Sequence, residues 1–236
     1  MPEQTSLQLG SKAVDRRVAV YKGILGNVPI LGGLMAEIVS AVIPEQQSDR
    51  LRQFVEALEA EIQDLDPEQV EARFQEPEFI DLLQESLTQA VRAVAQERIE
   101  HITEIVHQSL SDQDCRYIHF KKLLYILKEL NDLEVLMLCS YGRRHDNDFR
   151  EQHGDTTQVV KPAFGCTQED SDNYLVQAAH RAHLVRLELL SPRFKKPKKG
   201  QLPEFDEKTG MMTVKGYNIT SLGRLLLRTI GELDGF

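Results

Sequence analysis

Tyr217-Asn218-Ile219-Thr220-Ser221-Leu222-Gly223-Arg224-Leu225-Leu226 packs a strand, a cap and a helix start into one short stretch. Tyr217 and Ile219 alternate with polar neighbours, as a half-buried strand does. Thr220 or Ser221 then offers a side-chain oxygen to the unpaired amides of a first helical turn. Leu222, Leu225, Leu226 and Ile230 follow at helical spacing. Immediately upstream, Phe205 to Lys208 and Met211 to Lys215 flank Thr209-Gly210, which predicts a hairpin with a glycine turn. Before it comes the basic run Ser191 to Gly200. Asp170 or Ser171 predicts the start of a helix reaching about Leu190, with Leu175, Ala178, Ala179, Ala182, Leu184, Val185 and Leu189 as its candidate core. Residues 142–169 are polar, hold Gly, Pro and His, and read as a long loop.

Working further toward the N-terminus, Leu133, Leu136, Met137 and Tyr141 mark a helix opened by Asn131-Asp132, and Phe120, Leu123, Leu124, Leu127 and Leu130 mark the one before it. Ile99, Ile102, Val106 and Leu110 predict a helix from about Gln96 to Leu110. Pro77 and Pro67 each stand where proline is tolerated, at the first position of a helix. Leu51, Phe54, Val55, Leu58, Ile62 and Leu65 form one more apolar face, opened by Ser48 or Asp49. A short helix over 12–22 is predicted ahead of the breakers Gly23, Gly26, Asn27 and Pro29. The expectation is a mainly α chain: a helical bundle over 1–112, with a Gly-rich apolar segment at 23–43, followed by a second module over 113–236 that carries a small β-hairpin.

The chain has 236 residues, 41% hydrophobic and 28% charged, values ordinary for a globular protein. Trp is absent, so Leu, Ile and Val supply most of the core. Three cysteines with no C-x-x-C argue against a disulfide framework or a structural zinc site and for a reducing compartment. No basic region runs directly into an apolar core at the N-terminus, so a cleaved secretory signal is not expected. The expected location is the cytoplasm, with peripheral contact at the inner membrane as a variant. Of the net charge of −9, residues 181–236 carry 11 Lys+Arg against 6 Asp+Glu, a net +5; residues 1–180 carry 17 against 31, a net −14. Such asymmetry marks either a partner-binding face or a solvated loop.

Residues 116–236 resemble a winged helix. The resemblance rests on two helices joined at Leu130-Asn131-Asp132-Leu133, a third ending Leu184 to Leu190, a basic hairpin, and the closing Tyr217 to Leu226 pattern. It implies a module that binds DNA or protein. The chain as a whole resembles bacterial Abi-alpha (abortive infection) proteins through Gly26-Asn27-Val28-Pro29-Ile30-Leu31-Gly32 and the Gln96-Glu97-Arg98 helix leading to Leu110. That resemblance implies a role in phage defence and brings no catalytic motif.

Four chemistries are weighed on the residues. Leu31, Leu34, Met35, Ile38, Val39, Val42 and Ile43 form one helical stripe that could contact a membrane or a second copy. From Ile30 to Ile43 it reaches only about 21 Å at about 1.5 Å per residue, short of a hydrocarbon core of about 30 Å. Burying the seven side chains gains on the order of 10–15 kcal/mol in lipid or in a protein core alike, so energy does not separate the two. Arg181, Arg186, Arg193, Lys195, Lys196, Lys198 and Lys199 could meet a partner or nucleic-acid phosphates. The supposed recognition helix offers mainly Asn173 and Gln177 for base edges and carries Asp170 and Asp172. His180 with His183, Glu97 with His101, Glu104 and His107, and the loop residues His145, Asp146, Asp148, His153 and Asp155 have spacings permissive for metal, yet match no zincin or zinc-finger pattern. No metal or cofactor is expected. Cys139 sits on an apolar helix and is expected to be buried and inert, and no G-x-S-x-G, P-loop or dinucleotide fingerprint occurs. The sequence thus predicts a non-enzymatic defence-type protein that contacts a membrane or a second copy through 23–43 and docks a protein partner through its C-terminal module. A nucleic-acid-binding regulator and an interaction scaffold are the alternatives. No small-molecule substrate is expected.

Overall fold

A computed structural model describes residues 48–112, 116–157, 165–195, 197, 202, 204–205 and 210–233. The predicted helix at 12–22 and the apolar stripe at 31–43 lie outside them. Among the described residues the chain is mainly helical, with nine helices and one small antiparallel two-stranded sheet. It divides into two compact units, Met1–Lys128 and Glu129–Phe236.

In the first unit, α1 (Ser48–Glu61), α2 (Pro67–Arg73), α3 (Pro77–Ala90), α4 (Gln96–Ser111) and α5 (Tyr117–Glu129) follow one another through short turns. Asp66 caps α2, its carboxylate accepting from the Glu68 amide, and Pro67 and Pro77 each occupy a first turn as expected. Helix α1 packs on α3 and α4, and α3 packs on α4. Leu51, Phe54, Val55, Leu58 and Ile62 of the first stripe are all fully buried, with Phe79, Leu82, Leu83 and Leu87 from α3 and Ile102, Ile105, Val106 and Leu110 from α4. Phe79 meets the Phe74 ring edge-on at 5.1 Å and the Tyr117 ring at 5.9 Å. Helix α5, which the sequence reading groups with the C-terminal module, belongs to this unit as far as Lys128. The buried Gln89 amide donates to Leu124 O, Arg98 donates to Leu127 O, and Lys121 and Lys128 pair with Asp81 and Glu85.

The second unit runs α6 (Asp132–Gly142), α7 (Asn147–Thr157), α8 (Gln168–Arg186), β1 (Leu190–Phe194), β2 (Val214–Ile219) and α9 (Ser221–Thr229). Helix α6 touches α7, α8, α9 and β2, and is the central element. Four features differ from expectation. The loop predicted over 142–169 contains α7, a polar helix with no apolar period: its one buried apolar side chain is Phe149, beneath the Arg143 guanidinium at 5.3 Å and with its amide capped by Asp146. Helix α8 starts three residues early, at a capping box of Thr167 and Asp170. It also stops at Arg186, so Leu190 enters a strand. The main hairpin pairs 190–194 with 214–219, from Leu190↔Ile219 to Phe194↔Val214; of the expected pairing near the glycine turn, the single bridge Phe205↔Met212 is described. Thr220 caps α9 as expected, accepting from the Gly223 amide.

Two substitutions test these cores. Phe79→Ala should destabilise the first unit by about 3–5 kcal/mol, since the lost ring leaves a cavity between Phe74 and Tyr117. Gly223→Ala should destabilise the second by about 1–3 kcal/mol, because a Cβ there would sit 2.5 Å from Leu189 O and 2.8 Å from Ile219 Cγ1. Denaturant unfolding of each variant measures both.

Candidate functional site

The strongest polar arrangement in the second unit centres on Glu134, a carboxylate only 4% exposed. Asn131 and Glu134 form a capping box on α6: Glu134 N donates to Asn131 Oδ1 at 2.9 Å, and Asn131 N donates to Glu134 Oε2 at 3.0 Å. The other oxygen, Oε1, lies 3.0 Å from His180 Nδ1 and 2.9 Å from His183 Nδ1 on α8. An ionised carboxylate only accepts, so both rings present Nδ1–H to it. Burial pushes the Glu134 carboxyl up, but the bonds from His180, His183 and the Asn131 amide outweigh it and hold the group below its ordinary range. His180 and His183, permissive for metal by spacing, are thus drawn onto a carboxylate. Their spacing with Leu184 also identifies the packed side of α8. Of the predicted core on this helix, Leu184 is buried, whereas Leu175 is 63% exposed, and Val176 is exposed as well.

The predicted partner-binding cations are scattered. Arg181 lies over the Tyr217 ring at 4.7 Å, Lys195 pairs with Glu204 at 2.7 Å, and Arg193 lies along Gly216. Arg186 is exposed at the end of α8. Lys196, Lys198 and Lys199 lie outside the described residues, as do Leu31, Leu34, Met35, Ile38, Val39, Val42 and Ile43. Among the described residues no helix is long and apolar enough to cross a membrane. At the start of α8, Glu169, Asp170 and Asp172 are all exposed, and the Thr167 hydroxyl and amide hold Asp170 below the ordinary carboxylate range.

The hairpin surface carries a feature that sequence reading missed. Phe194 faces Val214 and Phe205 faces Met212 across the ladder. Val214 and Met212 are two residues apart, and side chains at that spacing share a face of extended chain. All four are exposed, Phe205 by 58%. The alternation Met212-x-Val214 was the available signal, but it reads equally well as a buried face.

In the first unit, Glu61 at the end of α1 meets Glu104 and His107 of α4, with one ligand-type atom of each lying within 4.8 Å of the others. Glu104 Oε2 is 3.6 Å from His107 Nδ1, an ion-pair contact too long for a hydrogen bond. Attraction to His107 holds the Glu104 carboxyl low. Attraction to Glu104, opposed by burial and helped by Glu61, holds His107 above the ordinary histidine range. Cys139 is buried as expected: burial, aided by the Glu232 carboxylate 3.5 Å away, pushes its thiol far up and leaves it unreactive at neutral pH. No family model, curated protein or solved structure matches the chain.

Removing the Glu134 carboxylate strands three donors. Glu134→Ala should therefore destabilise the second unit by about 3–5 kcal/mol at neutral pH. Because the folded group titrates below the unfolded one, the unfolded chain binds more protons in the acid range. The contribution is complete above about pH 4.3 and is lost as pH falls through the lower folded value. Unfolding free energies collected over that range should fall more steeply for the natural chain than for Glu134→Ala.

Proposed function

We propose that this chain is a non-enzymatic protein-docking protein whose second unit works as a winged-helix-like module, with the hairpin and the outer side of α8 facing a protein partner. The reading rests on the exposed ladder of Phe194, Val214, Met212 and Phe205. A row of apolar side chains along a hairpin is what a protein partner buries, whereas phosphate contact needs cations in that place. Exposed Leu175 and Val176 on α8 support the same reading, and the acidic start of that helix would repel a phosphate backbone.

The nucleic-acid alternative rests on the basic run. Within the described residues Lys195 already faces Glu204 and Arg181 faces Tyr217. The setting proposed for the docking is phage defence, from the resemblance to abortive-infection proteins, with residues 23–43 as the element that contacts a membrane or a second copy.

A photoreactive side chain in place of Phe205, in the full chain expressed in a bacterial host, tests the docking. A discrete protein adduct is expected, and it should disappear when Met212→Glu is added to a chain whose circular dichroism is unchanged. Nucleic-acid adducts, or no adduct, would sink the proposal.

A further inference from the structure

The two histidine–carboxylate arrangements of this protein differ in one respect. At Glu134 the rings approach to hydrogen-bond distance; at Glu104 the ring stops at 3.6 Å, and His107 Nδ1, shielded from solvent, has no hydrogen-bond partner. Ser111 has a single hydroxyl proton, which Oγ donates to His107 O at 3.0 Å. His107 Nε2 lies 3.3 Å from the same Oγ. With Nε2 beside that hydroxyl, Nδ1 is the ring nitrogen turned toward the Glu104 carboxylate. A ring nitrogen and a carboxylate oxygen held face to face share a positive charge, which either a ring proton or a bound cation supplies.

The surroundings fit a metal ion. Gln108 Nε2 donates to Glu104 Oε1 at 2.9 Å, which orients that carboxylate with Oε2 toward the ring. Ser111 on the far ring nitrogen and Gln108 on the far carboxylate oxygen are the outer partners that orient metal ligands. With metal–ligand bonds of about 2.0–2.1 Å, neighbouring ligand atoms of a tetrahedral ion stand about 3.3–3.4 Å apart, and Glu104 Oε2 and His107 Nδ1 are 3.6 Å apart. Glu61 brings a second carboxylate from the other helix. One imidazole and two carboxylates suit a first-row transition ion better than magnesium or calcium, which take oxygen ligands alone.

We propose that Glu61, Glu104 and His107 bind one divalent first-row transition ion of the zinc type between α1 and α4, with water completing its coordination. Three protein ligands, one of them on an exposed side chain, make an open site that clips the two helices together.

The test is calorimetric titration of the chelator-treated full chain with Zn2+ in excess Mg2+. One equivalent should bind. Glu61→Gln, Glu104→Gln and His107→Gln should each weaken binding by more than roughly tenfold, and Ser111→Ala, which frees the ring, by roughly tenfold. His119→Gln and His145→Gln, on exposed histidines, should leave it unchanged. Glu61 is exposed, so Glu61→Gln keeps the fold, and circular dichroism checks the others. Absence of Zn2+ binding to the natural chain, affinity in Glu61→Gln or His107→Gln unchanged from the natural chain, or displacement of Zn2+ by Mg2+ would each overturn the proposal.

Discussion

The second unit depends on one buried negative charge. A carboxylate taken out of water loses hydration worth many kcal/mol, and only donors held at short range offset that loss. Glu134 has them on both oxygens. The Asn131 amide holds Oε2 and so starts α6, while His180 and His183 hold Oε1 and so fix α8 against α6. One side chain thereby sets where a helix begins and which side of its neighbour faces inward. Helix α6 then carries the remaining elements, since α7, α9 and β2 all rest on it.

That orientation of α8 determines what the unit shows to solvent. With His180, His183 and Leu184 turned in, Leu175 is turned out, and Val176, one turn before His180 on the same face, is exposed as well. The hairpin follows the same logic at its own scale. Leu190 is buried at the start of β1 and Ile219 packs near Gly223, so the base of the hairpin is anchored. Farther along, Phe194, Val214, Met212 and Phe205 remain exposed. Burying such side chains is favourable against any apolar surface, while phosphates seek unpaired cations.

The first unit is built differently, by apolar stripes on short helices joined through prolines and tight turns. Its polar cluster sits at the rim, where α1 ends. There the histidine and the carboxylate are each oriented by an outer partner and yet do not meet. The contrast with Glu134 is one of distance: at 2.9–3.0 Å a ring N–H satisfies a carboxylate, and at 3.6 Å it does not.

Local chemistry made much of the helical framework legible in the residues alone. The stripe from Leu51 to Ile62, the prolines at 67 and 77, the Asn131 cap and the Thr220 cap each act within one or two turns, so their effect is written in adjacent positions. Helix α7 escaped notice because it rests on the single anchor Phe149 and has no apolar period to read. The pairing of 190–194 with 214–219, the outward turn of Leu175, the burial of Glu134 beneath His180 and His183, and the meeting of Glu61 with Glu104 and His107 were decided by tertiary structure. Each joins residues far apart in the chain, or turns on which face a neighbour covers. Periodicity reports that a face exists; only packing says what lies against it.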